Sequence, residues 1–308
     1  LLVLIATLLA LIVVIGGVIY GIRVLVVRSG FGRTIRHLVE EQRLSDDVRQ
    51  AIDDAQKWRD ERKLSMPHVS KKKPHLSRVQ RAKVRAAHIE RREDFLDKLH
   101  IGWYQIVLLF FVGSVLGLFL EETWMFVTAG LTQSRVGLVW GPFSPLYGVG
   151  ATLLTVITFY MRRKHCAPWQ VFLVALVVGG MLEQITGWSM STFMHASSWD
   201  YSNVPGAITQ WVAVPFLVFW GALGLVWYVC IMPELLFIIG EPTTPRRVIL
   251  VSLLGVYLAL DVFMTLSCFN RVAERHDGIP PATGFDVWID QNYTDEFMSD
   301  RFQNMNFS

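Results

Sequence analysis

Cysteine is scarce and scattered: Cys166, Cys230 and Cys268 are the three in 308 residues, and no CxxC spacing occurs. An odd, dispersed set excludes a disulfide framework and leaves the three as small apolar packing residues. Catalytic signatures are missing as well. No GxxxxGK[ST] phosphate loop is present, so any ATP hydrolysis belongs to a separate subunit. No HExxH pair offers metal ligands on a helix face, and none of Ser144, Ser189, Ser191 or Ser202 stands in a nucleophile elbow. No metal and no other cofactor is expected, and an enzyme is the less favoured reading. Charge is sparse too. Charged residues make up 18% against 52% hydrophobic, with a mean hydropathy of +0.38, which excludes an ordinary soluble domain.

What fills the chain instead is apolar runs. Nearly uncharged stretches occupy 1–20, 101–120, 146–161, 169–188, 208–231 and 248–268. Crossing a bilayer takes about 20 helical residues, which five of the six provide. The run 146–161 is short and fits only with help from the loop before it. The expected fold class is therefore an all-α membrane protein, a polytopic bundle of about six transmembrane helices with a basic cytoplasmic helical segment. The first run has no basic residues before it and no small-residue cleavage site. Arg23, Arg28 and Arg33 follow it instead, so an uncleaved anchor is expected rather than a secretory signal. The domains expected are an anchor at 1–23, a charged segment at 24–100, a five-helix membrane domain at 101–268 and a flexible acidic tail at 269–308.

Charge orients the spans. Of 29 Lys and Arg, 20 fall between Arg23 and Lys98, beside 12 acidic residues; Arg162, Arg163 and Lys164 join the third and fourth runs, and Arg246 and Arg247 precede the sixth. Lys and Arg near span ends stay on the cytoplasmic side, and alternation puts all three clusters there. Both termini are then extracytoplasmic, and the setting is a plasma membrane, specifically a bacterial cytoplasmic one. Within 24–100, Leu44, Val48, Ile52 and Ala55 recur at helical spacing, Pro67 and Pro74 bracket Lys71–Lys73, and a second helix spans 77–99. Its cations lack aromatic interleaving, so anionic lipid headgroups, at about 1 kcal/mol per cation, explain them better than nucleic acid, and no nucleic-acid partner is expected. The partners expected are the bilayer, and a separate ATP-binding subunit or a cytoplasmic protein meeting 24–100.

On the outer side, polar residues stand where lipid would penalise them. Glu121 and Glu122 close the second run, Glu183 lies near the outer end of the fourth, and Asp261 is about two turns inside the sixth. Such carboxylates usually face a bundle interior or cavity, so Glu183 and Asp261 are expected to point inward. Arg135 is the one cation on this side before the tail, with Glu121, Glu122, Glu183 or Asp200 as natural partners. An ion-pair network that merely locks two loops is the alternative for Arg135 and Asp200. Gly141, Pro142 and Pro145 force the chain out of helix before the third span. Tyr147, Trp188, Trp199 and Tyr201 suit an interface. His195 with Glu183 and Asp200 is a weak metal alternative.

The motif order resembles the family named Putative ABC transporter type IV, the CmpB-like integral membrane proteins. That pattern stands here as Leu120-Glu121, then Ser134-Arg135-Val136-Gly137, then Gly141-Pro142-Phe143-Ser144-Pro145-Leu146-Tyr147-Gly148, Leu182-Glu183-Gln184 and Trp199-Asp200-Tyr201-Ser202, with Asp261 in the last span. The resemblance covers about residues 104–268. The chain departs from the pattern at Gln184, where the family has Tyr, at Ser191, and at 204–207. The resemblance implies a permease-like role for a small molecule, ion or lipid, with Glu121, Arg135, Gly141, Pro142, Pro145, Tyr147, Glu183, Trp199, Asp200, Tyr201 and Asp261 as binding or gating residues. A lipid-modifying enzyme at the outer leaflet, with His195 or a carboxylate as base, and a membrane scaffold or sensor are the alternatives.

Overall fold

The computed structural model describes residues 35, 37–65, 76–193 and 196–307, which divide into two compact units at Leu99–His100. The expected anchor at 1–23, Lys71–Lys73 with the two prolines around them, and His195 lie outside these residues.

The first unit is a helical hairpin. Helix α1, Asp46–Ser65, and helix α2, Arg78–Lys98, follow the periodicity of their apolar residues. Leu44, Val48 and Ile52 are buried against Leu76, Val84 and Ala87. Ser77 starts α2 with a capping box: its hydroxyl accepts from Gln80 N–H, and the Gln80 side chain accepts from Ser77 N–H. This satisfies two of the orphan donors at a helix start. Several of the basic residues are spent within the hairpin. Arg43 meets Asp94 at 2.7 Å, Arg91 meets Glu41 at 2.8 Å and Lys83 meets Asp47 at 2.8 Å.

The second unit carries the membrane helices: α3 Trp103–Ala129, α4 Pro145–Arg163, α5 Pro168–Phe193, α6 Val214–Val226, a π turn Trp227–Ile231, α7 Met232–Ile239 and α8 Pro245–His276. Helix α3 packs on α4 and α8, α4 on α5, and α5 on α6. Among the described residues, four helices are long and apolar enough to cross a membrane: Trp103–Val127, Pro168–Thr192, Val214–Ile239 and Pro245–His276. Their outer surfaces are apolar. Leu173, Val177, Met181 and Ile185 form one exposed stripe, and Leu253, Val256, Leu260 and Phe263 another. Exposed stripes of this length suit hydrocarbon rather than water. The chain is a multi-pass helical membrane protein.

The count of about six spans is not confirmed. The first run lies outside the described residues. The third forms α4, 19 residues long, which buries Thr155 and Thr158 and ends on Arg162 and Arg163, and it is shorter than those four. Three further boundaries move. Residues 208–213 leave the fifth run to form a turn, closed by Ile208 N–H on the Val212 carbonyl at 2.8 Å. At the other end the helix runs on to Ile239, because the π turn accommodates Pro233, which lacks an N–H. Helix α3 continues to Ala129, so Glu121 and Glu122 lie two turns inside it rather than at its end.

The tail expected to be flexible is folded. Helix α8 extends to His276 and is followed by α9 Gly284–Asn292, α10 Asp295–Arg301 and strand β2 Asn306–Phe307, which pairs antiparallel with β1 Ala196–Ser197. Ile289, Met298 and Phe302 pack with Met264, Cys268 and Phe269 of α8 and with Val139. Mixed charge, read alone, suggests a solvated tail. Here Arg271, 2% exposed, meets Asp290 at 2.7 Å, and Arg275 meets Asp290 at 2.6 Å and Asp295 at 2.5 Å. Asp290 and Asp295 are thus held by cations of α8.

Candidate functional site

Two irregular loops bear on the site, and their backbones find partners within the protein. In the loop between α3 and α4, Trp140 N–H donates to Asp261 at 2.9 Å and Val139 N–H donates to Thr265 at 2.9 Å, both on α8. The Arg301 guanidinium donates to the Leu138 carbonyl at 2.9 Å and also to the Gly141 carbonyl. Gly137 N–H closes the loop on the Phe143 carbonyl at 2.8 Å. Gly141 takes a left-handed φ of +66°, where a Cβ would meet the Phe143 ring at 2.4 Å. Pro142 is exposed beside it, and Pro145 opens α4 in the first turn, where its missing N–H costs nothing. Irregular backbone at membrane depth requires this kind of satisfaction.

In the second loop, Trp199 donates its indole N–H to the Trp211 carbonyl at 3.1 Å, and Tyr201 N–H donates to the Gln210 carbonyl at 2.7 Å. Asp200 accepts from Ser202 N–H at 2.8 Å, and these Ser202 bonds hold its carboxyl below the ordinary 3.8. Asp200 therefore caps a turn. Gln184, where the family pattern has Tyr, accepts from the Thr209 hydroxyl at 2.7 Å, and Thr209 in turn accepts from the Trp211 and Val212 N–H groups.

Between these loops the polar side chains converge. Arg135 meets Glu121 of α3 at 2.5 Å, and its N–H donates to Glu122 at 3.4 Å. Tyr147 of α4 lies beside the same Glu121 carboxylate. Its ring stands over Gly117, where a Cβ would meet Tyr147 Cβ at 2.1 Å. Tyr147 and Tyr201 both feel the charges of Glu121, Glu183 and Arg135. Burial, then Glu183 and Glu121, push the Tyr201 phenol above the ordinary 10, so it stays neutral. Tyr201 stacks on Phe216 at 4.2 Å. Glu183 is 7% exposed. One of its oxygens accepts from the Trp220 indole N–H at 3.0 Å, and the other, Oε2, has no hydrogen-bond partner.

Of the residues predicted from sequence, the structure pairs Arg135 with Glu121, and Tyr147, Glu183 and Tyr201 lie within electrostatic range of that pair or of one another. Trp199 and Asp200 shape their own loop, and Gly141, Pro142 and Pro145 shape the other. Asp261 does not join the cluster: it is fully buried, bonded to Trp140 N–H and close to Arg301. Trp220 and Arg301 were not foreseen. An indole in an apolar span signals that its N–H needs a partner, whereas nothing in the tail's sequence marks Arg301. Among the described residues, no cluster of three His, Cys, Asp or Glu side chains could hold a metal ion. An open depression of about 500 Å³, lined by Glu122, Thr123, Phe126, Gln133 and Gln303, lies on the Glu122 side of Arg135.

A family model described as Putative ABC-transporter type IV matches residues 108–266. The chain belongs to this family. No curated protein and no solved structure matches it. The match to the type IV ABC-transporter family begins in α3 and ends in α8, so it takes in the whole cluster, both loops and Asp261. Helices α1, α2, α9 and α10, and with them Arg301, lie beyond it.

Proposed function

We propose that this chain is a permease-like component of an ABC-type transport system in the bacterial plasma membrane. Its recess of Glu121, Arg135, Tyr147, Glu183 and Tyr201 takes a small molecule, ion or lipid headgroup from the extracytoplasmic side. The family supports the transport class. What supports this is that Glu121 of α3 pairs with Arg135, and that Glu183 of α5 is buried within electrostatic range of the Tyr147 and Tyr201 phenols. Ionisable side chains inside membrane bundles mark substrate and ion paths by default. The Arg135–Glu121 pair orients the rim, Tyr147 ties it to α4, and Glu183 is the deepest polar group. Energy comes from a separate ATP-binding subunit. The hairpin of α1 and α2 is a cytoplasmic surface for such a partner.

The test is reconstitution into vesicles with the ATP-binding subunit and a solute panel of cations, anions, neutral polyols and headgroup analogues. ATP-stimulated flux of one class is expected, reduced at least about tenfold by Glu183→Gln. Flux that continues at the wild-type rate in that variant removes Glu183 from the path and this reading with it.

A further inference from the structure

Glu183 differs from every other acidic residue of the cluster. Glu121 has Arg135 as a counter-charge, within hydrogen-bond distance. Glu183 is more than nine-tenths buried, with one oxygen on Trp220 and the other with no partner. The Trp220 indole from α6 donates to it, and the Tyr147 phenol from α4 and the Tyr201 phenol from the second loop lie within electrostatic range of it and of the Glu121–Arg135 pair. None of the three nearest is a cation, and Arg135 is committed to Glu121. With Glu183 ionised, the described cluster carries negative charge that Arg135 does not balance. A buried carboxylate in that position is costly unless something positive completes it.

The kind of cation follows from the walls. Calcium and magnesium demand six or more oxygen ligands. One carboxylate among aromatic rings does not supply them, and no metal-holding group exists among the described residues. Aromatic rings near a single carboxylate are surroundings in which an ammonium ion can gain from both. The unpartnered Oε2 supplies the acceptor that an ammonium N–H needs. Gly179 is part of the construction, since any Cβ there would fall 2.1 Å from Trp220 Cγ and displace the indole that orients Glu183.

We infer that the solute of the recess is a small organic ammonium ion, held by Glu183 against Tyr147, Tyr201 and Trp220. This rests on the transport reading above and names its substrate class. The test is calorimetric titration of the full chain in mild detergent with methylammonium, with inorganic phosphate and acetate as anion controls. Saturable methylammonium binding is expected, with no binding of either anion. Glu183→Gln abolishes it. Tyr201→Leu, which leaves the carboxylate in place, weakens it about five- to thirty-fold. Monodispersity and helical content check that both variants fold.

Absence of methylammonium binding, equal binding by the Gln variant, or preferential binding of phosphate overturns the assignment. The flux experiment separates the two failures. Anion or polyol flux that still depends on Glu183 leaves transport standing and removes only the ammonium ligand. Flux indifferent to Glu183 removes both.

Discussion

The Arg135–Glu121 pair shows what single residues contribute here. Both partners are mostly withdrawn from water, at 12% and 20% exposure. Breaking a fully buried pair by removing one partner costs about 3–5 kcal/mol, mainly because the other charge is stranded. Partial exposure returns some of that, so Arg135→Gln should lose about 2 kcal/mol in denaturant unfolding from detergent. The double variant Glu121→Gln with Arg135→Gln strands no charge and should recover part of the loss. A double variant as unstable as the single one would show that the guanidinium holds the loop by packing alone. The sequence narrowed the partner of Arg135 to Glu121, Glu122, Glu183 or Asp200, and only the fold selects Glu121 among them. Trp220 was not legible, since a tryptophan in an apolar span looks like lipid-facing bulk until Glu183 is seen beside it. Asp261 was legible as an inward carboxylate, but its actual work, holding Trp140 N–H, depends on a loop conformation that spacing does not reveal.

Among the elements, those with strong periodicity were readable, and those whose limits depend on tertiary contacts were not. Helix α2 starts at the Ser77 capping box and ends near Leu99, as its local signals indicate. The span α6–α7 is displaced along its run because two independent devices act at its ends: a turn at 207–213 and a π turn before Pro233. The tail is the clearest case of tertiary override. Its acidic residues look solvated until Arg271 and Arg275, on the last turns of α8, are placed against them. Arg271 above all, with burial opposing, holds the Asp290 carboxyl below the ordinary 3.8. A lowered folded value means the stabilisation is complete above the unfolded value of about 3.9 and fades as pH falls through the lower folded one. The contact between α9 and α8 should therefore be unaffected from pH 7 down to about 5 and loosen below about 4. Hydrogen exchange of 284–301 reads this, and Asp290→Asn should show the looser state throughout. Because Arg301 also caps the Leu138 and Gly141 carbonyls, Arg301→Gln should speed exchange in 137–144 while α5 keeps its protection.

For the whole molecule the open quantity is which way the bundle faces, and charge argues it. Arg162, Arg163 and Lys164 end α4, and Arg246 and Arg247 begin α8, so two short segments flanking different helices carry the cationic ends. Short loops obey the positive-inside bias best. With α4 counted as a span, alternation assigns the loops that carry Arg135 and Tyr201 to the opposite side. With native cysteines replaced, Lys164→Cys should then react with a membrane-impermeant maleimide only after permeabilisation of bacterial cells. Asn203→Cys, on the exposed loop beside Tyr201, should react in intact cells. The contrast should be large, because no route through the bilayer equalises a charged reagent. Labelling of Lys164→Cys from outside, with Asn203→Cys protected, would place the recess on the cytoplasmic face and turn an uptake path into an export path. The geometry of Glu183 would be unchanged, but the solute would reach it from the compartment where ATP is spent.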